Sequence, residues 1–566
     1  MRLIKTASNE KLRGGYYTPS AIALFLLKWG LNGRKDYDIL EPSCGDGAFL
    51  HIIQRNNLSY HTITAVEIDK MEANKAASIP LQNFTVNTMD FHKYCNSATK
   101  RFDLIIGNPP YIRYQYFDKE QQQDAKLIYE KAGLTYTKLS NAWVSFVVGA
   151  SLLLNESGKI AFVLPAELLQ VSYANELRKY LLSFFNKIII ISFQQLVFQD
   201  IQQEVVLLLC EKNKSNNHTI EHLDVCNLES LSKLDISQLK LQERNMDFKP
   251  STEEGKKRLS SKSSEVFNNK WTYYFLKQKE IDFLKEIYNA TSFSTMGYYS
   301  DIEVGITTGA NSYFTVPWTT VTEYHLQKYA KPMVGRSVNV PGIRFTKDDW
   351  IHNRNSKVKS SLLVFPSGRE IAHDSEAMRY ISYGVSQRIN KGYKTGIRDE
   401  WFVIPSIRLS DALFIRRNNI CPKLILNDAG VYTTDTMHRV FIRDHINKDA
   451  FIASYYNSLS FAFAEIVGRN YGGGVLELMP REVESIFLPY NEANNDLIDI
   501  IDTLLRSKTN IDKILEITNK KILHDKFGLT IDEIGIAHTI WKKLCERRLN
   551  RAKSIPRNIE FDPSNA

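Results

Sequence analysis

The 566-residue sequence has only six cysteines, at positions 44, 95, 210, 226, 421 and 545, and no C-x-x-C pair among them. Zinc sites are built from ligands paired at that spacing, so no metal is expected. Scattered thiols in a long chain also argue against a disulfide framework and for a reducing cytoplasm. Long apolar runs are missing too. Nothing approaches the ~18 residues of a membrane span. The run Lys187–Phe193 is short and β-branched, which suits a buried strand. The opening residues, Met-Arg-Leu-Ile-Lys-Thr-Ala-Ser, lack the apolar stretch of a secretion signal. No segment repeats at a fixed period. These absences lead to an expected cytoplasmic protein with no membrane partner.

What is present is an ordinary globular composition, 43% hydrophobic and 24% charged, in a chain too long for one core. The net charge of +9 admits a polyanionic partner without requiring one. The 28 Tyr and 29 Phe suit base-contacting surfaces and ordinary cores alike. Over roughly the first 240 residues, strand and helix signals alternate. Strands are expected at Asp38–Glu41, Thr62–Ile68, Phe84–Val86, Phe102–Gly107, Lys159–Leu164, Ile188–Phe193 and Glu204–Cys210. Helices are expected from Gly45 to Gln54 and from Asn141 to Leu154. That rhythm predicts an α/β, doubly wound, Rossmann-like sheet with its ligands at the carboxyl ends of the strands. The polar stretch from Phe248 to Ser264 reads as a linker or mobile loop. Beyond it lie short strands and Gly/Pro/Asn turns, then helical Ile/Leu spacing in Asp496–Leu505 and Ile511–Ile522.

Three strand ends carry candidate ligand groups. The first strand runs into Glu41-Pro-Ser-Cys-Gly-Asp-Gly47, whose glycines let backbone approach a ligand closely. No Lys follows, so this is not a P-loop, and G-D-G is not the dinucleotide fingerprint. The second strand ends at Glu67, a carboxylate that can take both hydroxyls of a ribose. After the third come Asp90, able to accept from an adenine amine, and Phe91, able to pack on its ring. The fourth strand runs into Asn108-Pro-Pro-Tyr111. Two consecutive prolines remove two backbone donors. The side-chain carbonyl of Asn108 and the main-chain carbonyl of Pro109 can then both accept from one amino group. Two acceptors favour a pyramidal nitrogen and localise its lone pair, so the catalysis is orientation and electrostatics without a protein nucleophile. Tyr111 would stack on the target ring.

D-G-x-F-L, A-V-E-I-D, D-F and N-P-P-Y in this order resemble the γ-class amino-methyltransferases of bacterial restriction–modification, the group typified by the TaqI and BseCI enzymes. The resemblance is strong over roughly residues 10–215. It implies a class I methyltransferase domain that binds S-adenosyl-L-methionine and methylates the N6 amine of an adenine flipped out of double-stranded DNA. Its implied cofactor contacts are Thr18 in Gly14-Gly-Tyr-Tyr-Thr-Pro19, Glu41, Pro42, Ser43, Cys44, Gly45, Glu67, Asp90, Phe91, Asn108, Pro110 and Phe146. Val197-Phe-Gln-Asp200 matches the segment that supplies a second aromatic, so Phe198 would sandwich the flipped base against Tyr111. N-P-P-Y by itself also occurs in enzymes acting on protein glutamine, cytosine N4 and RNA bases.

The later motifs Asp301–Phe314 and Glu465–Pro480 resemble the C-terminal specificity domain of TaqI-like enzymes and the half-units of type I specificity subunits. The implied organisation is a catalytic domain over 1–245, an α+β target-recognition domain over 246–492 and a helical C-terminal segment over 493–566. Gly473, within Gly472-Gly-Gly474, would let backbone approach DNA. Lys331, Arg336, Arg344, Lys357, Lys359 and Arg469 are the candidate DNA contacts. The basic tail Glu546–Lys553 reads equally as a backbone contact or a solvated helix end. No acid-acid-Lys nuclease constellation is evident. The chain is therefore expected to be a stand-alone modification enzyme of a bacterial or archaeal cytoplasm, with any restriction endonuclease encoded separately. The rival readings are an RNA or protein-glutamine methyltransferase and a catalytically dead DNA-binding protein.

Overall fold

The computed structural model describes residues 18–136, 141–198, 204–213, 218–235, 266–267, 270–471 and 473–553. The expected linker at 248–264 and Gly14–Tyr17 fall outside these residues.

Eight strands form one sheet: β1 Asp38–Glu41, β2 Thr62–Glu67, β3 Phe84–Thr88, β4 Phe102–Gly107, β5 Leu154–Pro165, β6 Lys187–Phe193, β7 Val205–Glu211 and β8 Thr219–Val225. Their order is β3-β2-β1-β4-β5-β7-β6-β8. From β3 to β5 neighbours run parallel. β7 lies antiparallel between β5 and β6, and β6 pairs parallel with β8. The central strands are continuous apolar runs because helices cover both faces. The helix Ala142–Leu152 is apolar all round, and ten of its eleven residues, Ala142 to Ser151, are buried. The helix Lys119–Lys131 buries only Ala125, Ile128 and Tyr129. Seven strands coincide closely with the expected ones; β8 was not foreseen. Its sequence, T-I-E-H-L-D-V, mixes charge into an edge strand and gives no apolar run. The chain passes from β1 outward to β2 and β3, then returns to β4 on the other side. That reversal opens a crevice at the carboxyl ends of β1 and β4.

The remaining chain is α+β. A four-stranded antiparallel sheet is ordered Ser300–Val304, Met437–Ile442, Ala412–Ile415, Leu424–Leu426. A three-stranded sheet is ordered Thr315–Pro317, Lys359–Leu363, Ala330–Pro332. The helix Ser458–Val467 is wholly buried and packs on the helix Ile531–Lys553. One hydrophobic cluster crosses from the first part to the second, holding Leu168, Phe185, Trp271, Phe463, Phe487 and Trp541 together. Among the described residues no helix is long and apolar enough to cross a membrane.

The helix Ile531–Lys553 corrects the reading of the basic tail. Arg547 donates to Asp224 at the end of β8 (2.8 Å) and to Glu204 (3.3 Å), with its guanidinium 3.8 Å from the Phe275 ring centroid. Arg548 donates to Glu465 at 2.6 Å, and both side chains are 0% exposed. These two cations clamp the last helix to the catalytic sheet and to the buried helix, and neither is presented to solvent. Arg548→Ala strands the Glu465 charge in the interior and is expected to lower unfolding free energy by about 3–5 kcal/mol. Urea unfolding measures this. Arg548→Met combined with Glu465→Leu is expected to recover most of the loss.

Candidate active site

The turn after β1 is shaped by two glycines. Gly45 has φ +54° and Gly47 φ +94°, where other residues are strained. A Cβ on Gly47 would sit 2.5 Å from the Ile79 side chain. The free amide of Gly45 donates to Glu67 Oε2 (2.9 Å), and the Asp69 amide donates to Oε1 (2.8 Å). The carboxylate at the end of β2 is thereby fixed against the turn after β1. The Ser43 hydroxyl lies 3.5 Å from the Asn108 carbonyl and brings the turn after β4 into the same crevice.

The crevice holds a cavity of about 490 Å³. Thr18, Glu41, Pro42, Ser43, Cys44, Gly45, Glu67, Asp90, Phe91, Asn108, Pro110 and Phe146 all line it, so the structure brings the twelve expected cofactor contacts to one place. Asp46, Ile68, Asp69, Glu72, Met89, His92, Ile112, Tyr116, Phe117 and Gln121 are among the lining residues that sequence reading missed. The capping box of Asp118 and Gln121 signals a helix start, but nothing in the sequence aims Gln121 at this cavity.

Six carboxylates line the cavity, and among the described residues no Lys or Arg does. Glu41 is buried, and among the described residues its Oε2 has no hydrogen-bond partner. Burial, reinforced by Glu67 and Asp46, holds the Glu41 carboxyl well above the usual range. Burial also raises Glu67, partly offset by the amides it accepts. Such a site repels phosphates and suits a ligand carrying positive charge beside a ribose. S-adenosylmethionine, with its sulfonium and ammonium, fits it; a dinucleotide does not.

Asp90 departs from expectation in its surroundings. It caps the helix Phe91–Ser97, with Oδ1 accepting from the His92 amide (2.8 Å) and meeting the His92 ring Nδ1 (3.0 Å). Its Oδ2 accepts from Gln121 Nε2 (2.9 Å). Burial alone would raise this carboxyl, but the His92 and Gln121 contacts outweigh it and hold Asp90 down at about 2. An adenine amine at Asp90 would therefore share Oδ2 with Gln121. Phe91 and Phe146 pack with centroids 4.8 Å apart.

In the N-P-P-Y turn, Pro109 is buried, while Asn108 and Pro110 face the cavity. The Tyr111 hydroxyl donates to Asn108 Oδ1 (2.8 Å) and lies 3.2 Å from the Val163 carbonyl. Phe198 is 7% exposed inside a hydrophobic cluster against which Tyr111 also packs. It presents no free ring face here, and Asp200 lies outside the described residues.

The family models fall on both halves. Residues 41–198 match the Eco57I restriction-modification methylase, and residues 268–523 match the C-terminal domain of the type II methyltransferase M.Eco57I. Both halves of the chain are thus similar to type II restriction–modification methyltransferases. Type II methyltransferase M.AccI of Acinetobacter calcoaceticus is 24% identical over 540 residues, 92% of this chain and 94% of that protein. M.HincII of Haemophilus influenzae is 28% identical over 223 residues, 39% of this chain and only 40% of that protein. The tRNA1(Val) (adenine(37)-N6)-methyltransferase of Haemophilus influenzae is 27% identical over 135 residues, 23% of this chain and 54% of that protein. S-adenosylmethionine is the cofactor of this methyltransferase.

Two of the expected DNA contacts are corrected by their partners. Arg344 is held by Asp428 (3.0 Å), Asp449 (3.3 Å) and Asp499 (3.2 Å). Arg469 donates to Glu482 (2.9 Å), which also takes the buried Lys270 (2.9 Å). Both guanidinium groups are tied up within the fold. Lys331, Arg336, Lys357, Lys359 and Gly473 are exposed, whereas Gly474 is buried and Gly472 lies outside the described residues.

As the expected ribose contact, Glu67 would accept hydroxyls best when ionised. Burial raises its pKa, so cofactor affinity is expected to be full above that raised value and to fall as pH drops through it, at a pH above the ordinary carboxylate range. Calorimetry of S-adenosylmethionine binding across pH reads this. Glu67→Gln is expected to weaken binding roughly 10- to 100-fold at neutral pH, as for a lost charged hydrogen-bond acceptor, and to flatten the acid limb.

Proposed function

We propose that this methyltransferase transfers a methyl group to the N6 amine of an adenine flipped out of duplex DNA, as the modification enzyme of a restriction–modification system. The observation that carries the proposal is the opening of the N-P-P-Y turn into the cofactor cavity, with Asn108 and Pro110 beside Glu67 and Asp90. S-adenosylmethionine supplies an electrophilic methyl group when bound. Asn108 Oδ1 and the Pro109 carbonyl are assigned the role of accepting the two hydrogens of the amine. The Tyr111 hydroxyl fixes the Asn108 amide so that its oxygen keeps one orientation, and a carbonyl oxygen has a second lone pair left for the substrate. Pre-set acceptors of this kind lower a barrier because they need no reorganisation during the reaction. The expected Tyr111–Phe198 sandwich requires Phe198 to become uncovered when DNA binds, and the γ-class assignment stands with the same resemblance.

A base inside a duplex cannot reach a cavity of this depth, which is why flipping belongs to the proposal. The second reading, an RNA substrate, is favoured by one finding, the similarity over 135 residues to a tRNA adenine-N6 methyltransferase. The two are separated by incubating the protein with S-adenosylmethionine and either unmethylated duplex DNA or RNA, then weighing the nucleosides. N6-methyladenine in DNA is the expected product. Asn108→Ala is expected to reduce transfer by at least about 100-fold, as for a lost oxyanion-type contact, while cofactor affinity stays near the parent's. N4-methylcytosine would correct the base, and methylation of RNA alone would overturn the DNA assignment.

A further inference from the structure

The recognition half carries a compact loop that sequence reading passed over. The helix Ser375–Ser386 ends at Gln387, and Arg388 takes a left-handed turn with φ +57°. The chain then folds back on itself. The buried Thr395 hydroxyl donates to the Ile389 carbonyl and lies 3.2 Å from the Gly392 carbonyl, the Gly396 amide donates to the Gly392 carbonyl (2.7 Å), and Arg398 donates to the Thr307 carbonyl (3.0 Å). The base is set in aromatic rings. Tyr313 stacks on Tyr380 at 4.7 Å and meets Trp401 at 5.3 Å. Gly384 leaves room for this: a Cβ there would lie 2.3 Å from the Trp401 ring. The loop also packs on the Asp301–Phe314 motif, where a Cβ on Gly309 would lie 3.0 Å from Lys394 Cβ.

On this anchored base the tip is apolar and open. Tyr393 is 87% exposed and Ile397 is 75% exposed. Around them stand Arg388, Lys391 and Lys394, all exposed and without a carboxylate partner among the described residues. Five arginines elsewhere in this half, Arg344, Arg416, Arg417, Arg469 and Arg506, are instead paired with acids. From Arg388 to Arg398 there are four basic residues and no acid.

We propose that residues 388–398 form a wedge that enters a groove of duplex DNA, with Tyr393 and Ile397 against the base stack and the surrounding cations on phosphates. Stability gives no reason to hold a tyrosine and an isoleucine in water on an ordered loop, whereas burial on a partner is favourable. Protein–protein interface cores are depleted in Lys, so exposed cations interleaved with the apolar tip argue against a protein partner. Duplex DNA offers the matching chemistry: phosphates at a fixed spacing and apolar base faces that side chains can part. The proposal rests on the DNA reading above and adds the element that engages the duplex.

The test uses full-length protein with S-adenosylhomocysteine and a fluorescein-labelled duplex of mixed sequence, read by anisotropy over a series of salt concentrations. Tyr393→Ala is expected to weaken binding roughly 5- to 150-fold, the range for loss of one aromatic–base contact, with Tyr393→Phe close to the parent. Lys391→Ala with Lys394→Ala is expected to lower the slope of log affinity against log salt by about 2. A purely structural role would not move that slope. Because these side chains are exposed, thermal melting is expected to be unchanged. A parent protein that binds duplex while Tyr393→Ala and Ile397→Ala bind equally well overturns the wedge and leaves the DNA reading standing. A parent protein that binds transfer RNA and no duplex overturns both.

Discussion

The end of β2 is tied to the turn after β1 by the Glu67 carboxylate, which accepts the amides of Gly45 and Asp69. That interaction carries more than its own hydrogen bonds. It holds a charged group at the rim of a cavity whose other titratable groups are also acidic. It keeps the Gly45 turn open in a conformation that residues with a Cβ resist. It also sets the distance between the two strand ends that border the cavity. A third strand end, after β4, then needs only to present Asn108 into the same space. The doubly wound topology makes this cheap in structural terms, because the reversal of chain direction beside β1 leaves the crevice unfilled.

The cost of that arrangement is concentrated negative charge. Glu41 is buried with one oxygen, Oε2, lacking a hydrogen-bond partner among the described residues, and its carboxyl is driven well above the usual range. A cationic ligand relieves both conditions, which links affinity for S-adenosylmethionine to the very groups that make the empty site unfavourable. Asp90 shows the opposite solution. Contacts from His92 and Gln121 hold it ionised, and they do so from two helices that line the cavity.

The two halves of the chain share one hydrophobic cluster and a clamp of buried ion pairs. The last helix crosses between them, so residues separated by some 300 positions are neighbours, as with Arg547 and Asp224. A link of this kind gives the C-terminal half a fixed position relative to the N-P-P-Y turn.

Sequence alone determined the strand-and-turn rhythm of the catalytic half, the glycine turn, Glu67 and the N-P-P-Y turn. These are local properties: apolar runs of strand length, glycines where φ must be positive, prolines that remove donors. It could not determine the partners of long-range charges. Arg344 and Arg469 look like free cations until three distant aspartates and Glu482 come into view. Arg548 reads from sequence equally as a DNA-backbone contact or part of a solvated helix end, yet it is among the most buried residues of the chain. Phe198 and Gln121 were likewise placed by tertiary packing, one under the surface and one over the cavity. Whether a side chain is buried, paired or exposed depends on what the fold brings against it, and that information is held in contacts between remote segments, which no local pattern encodes.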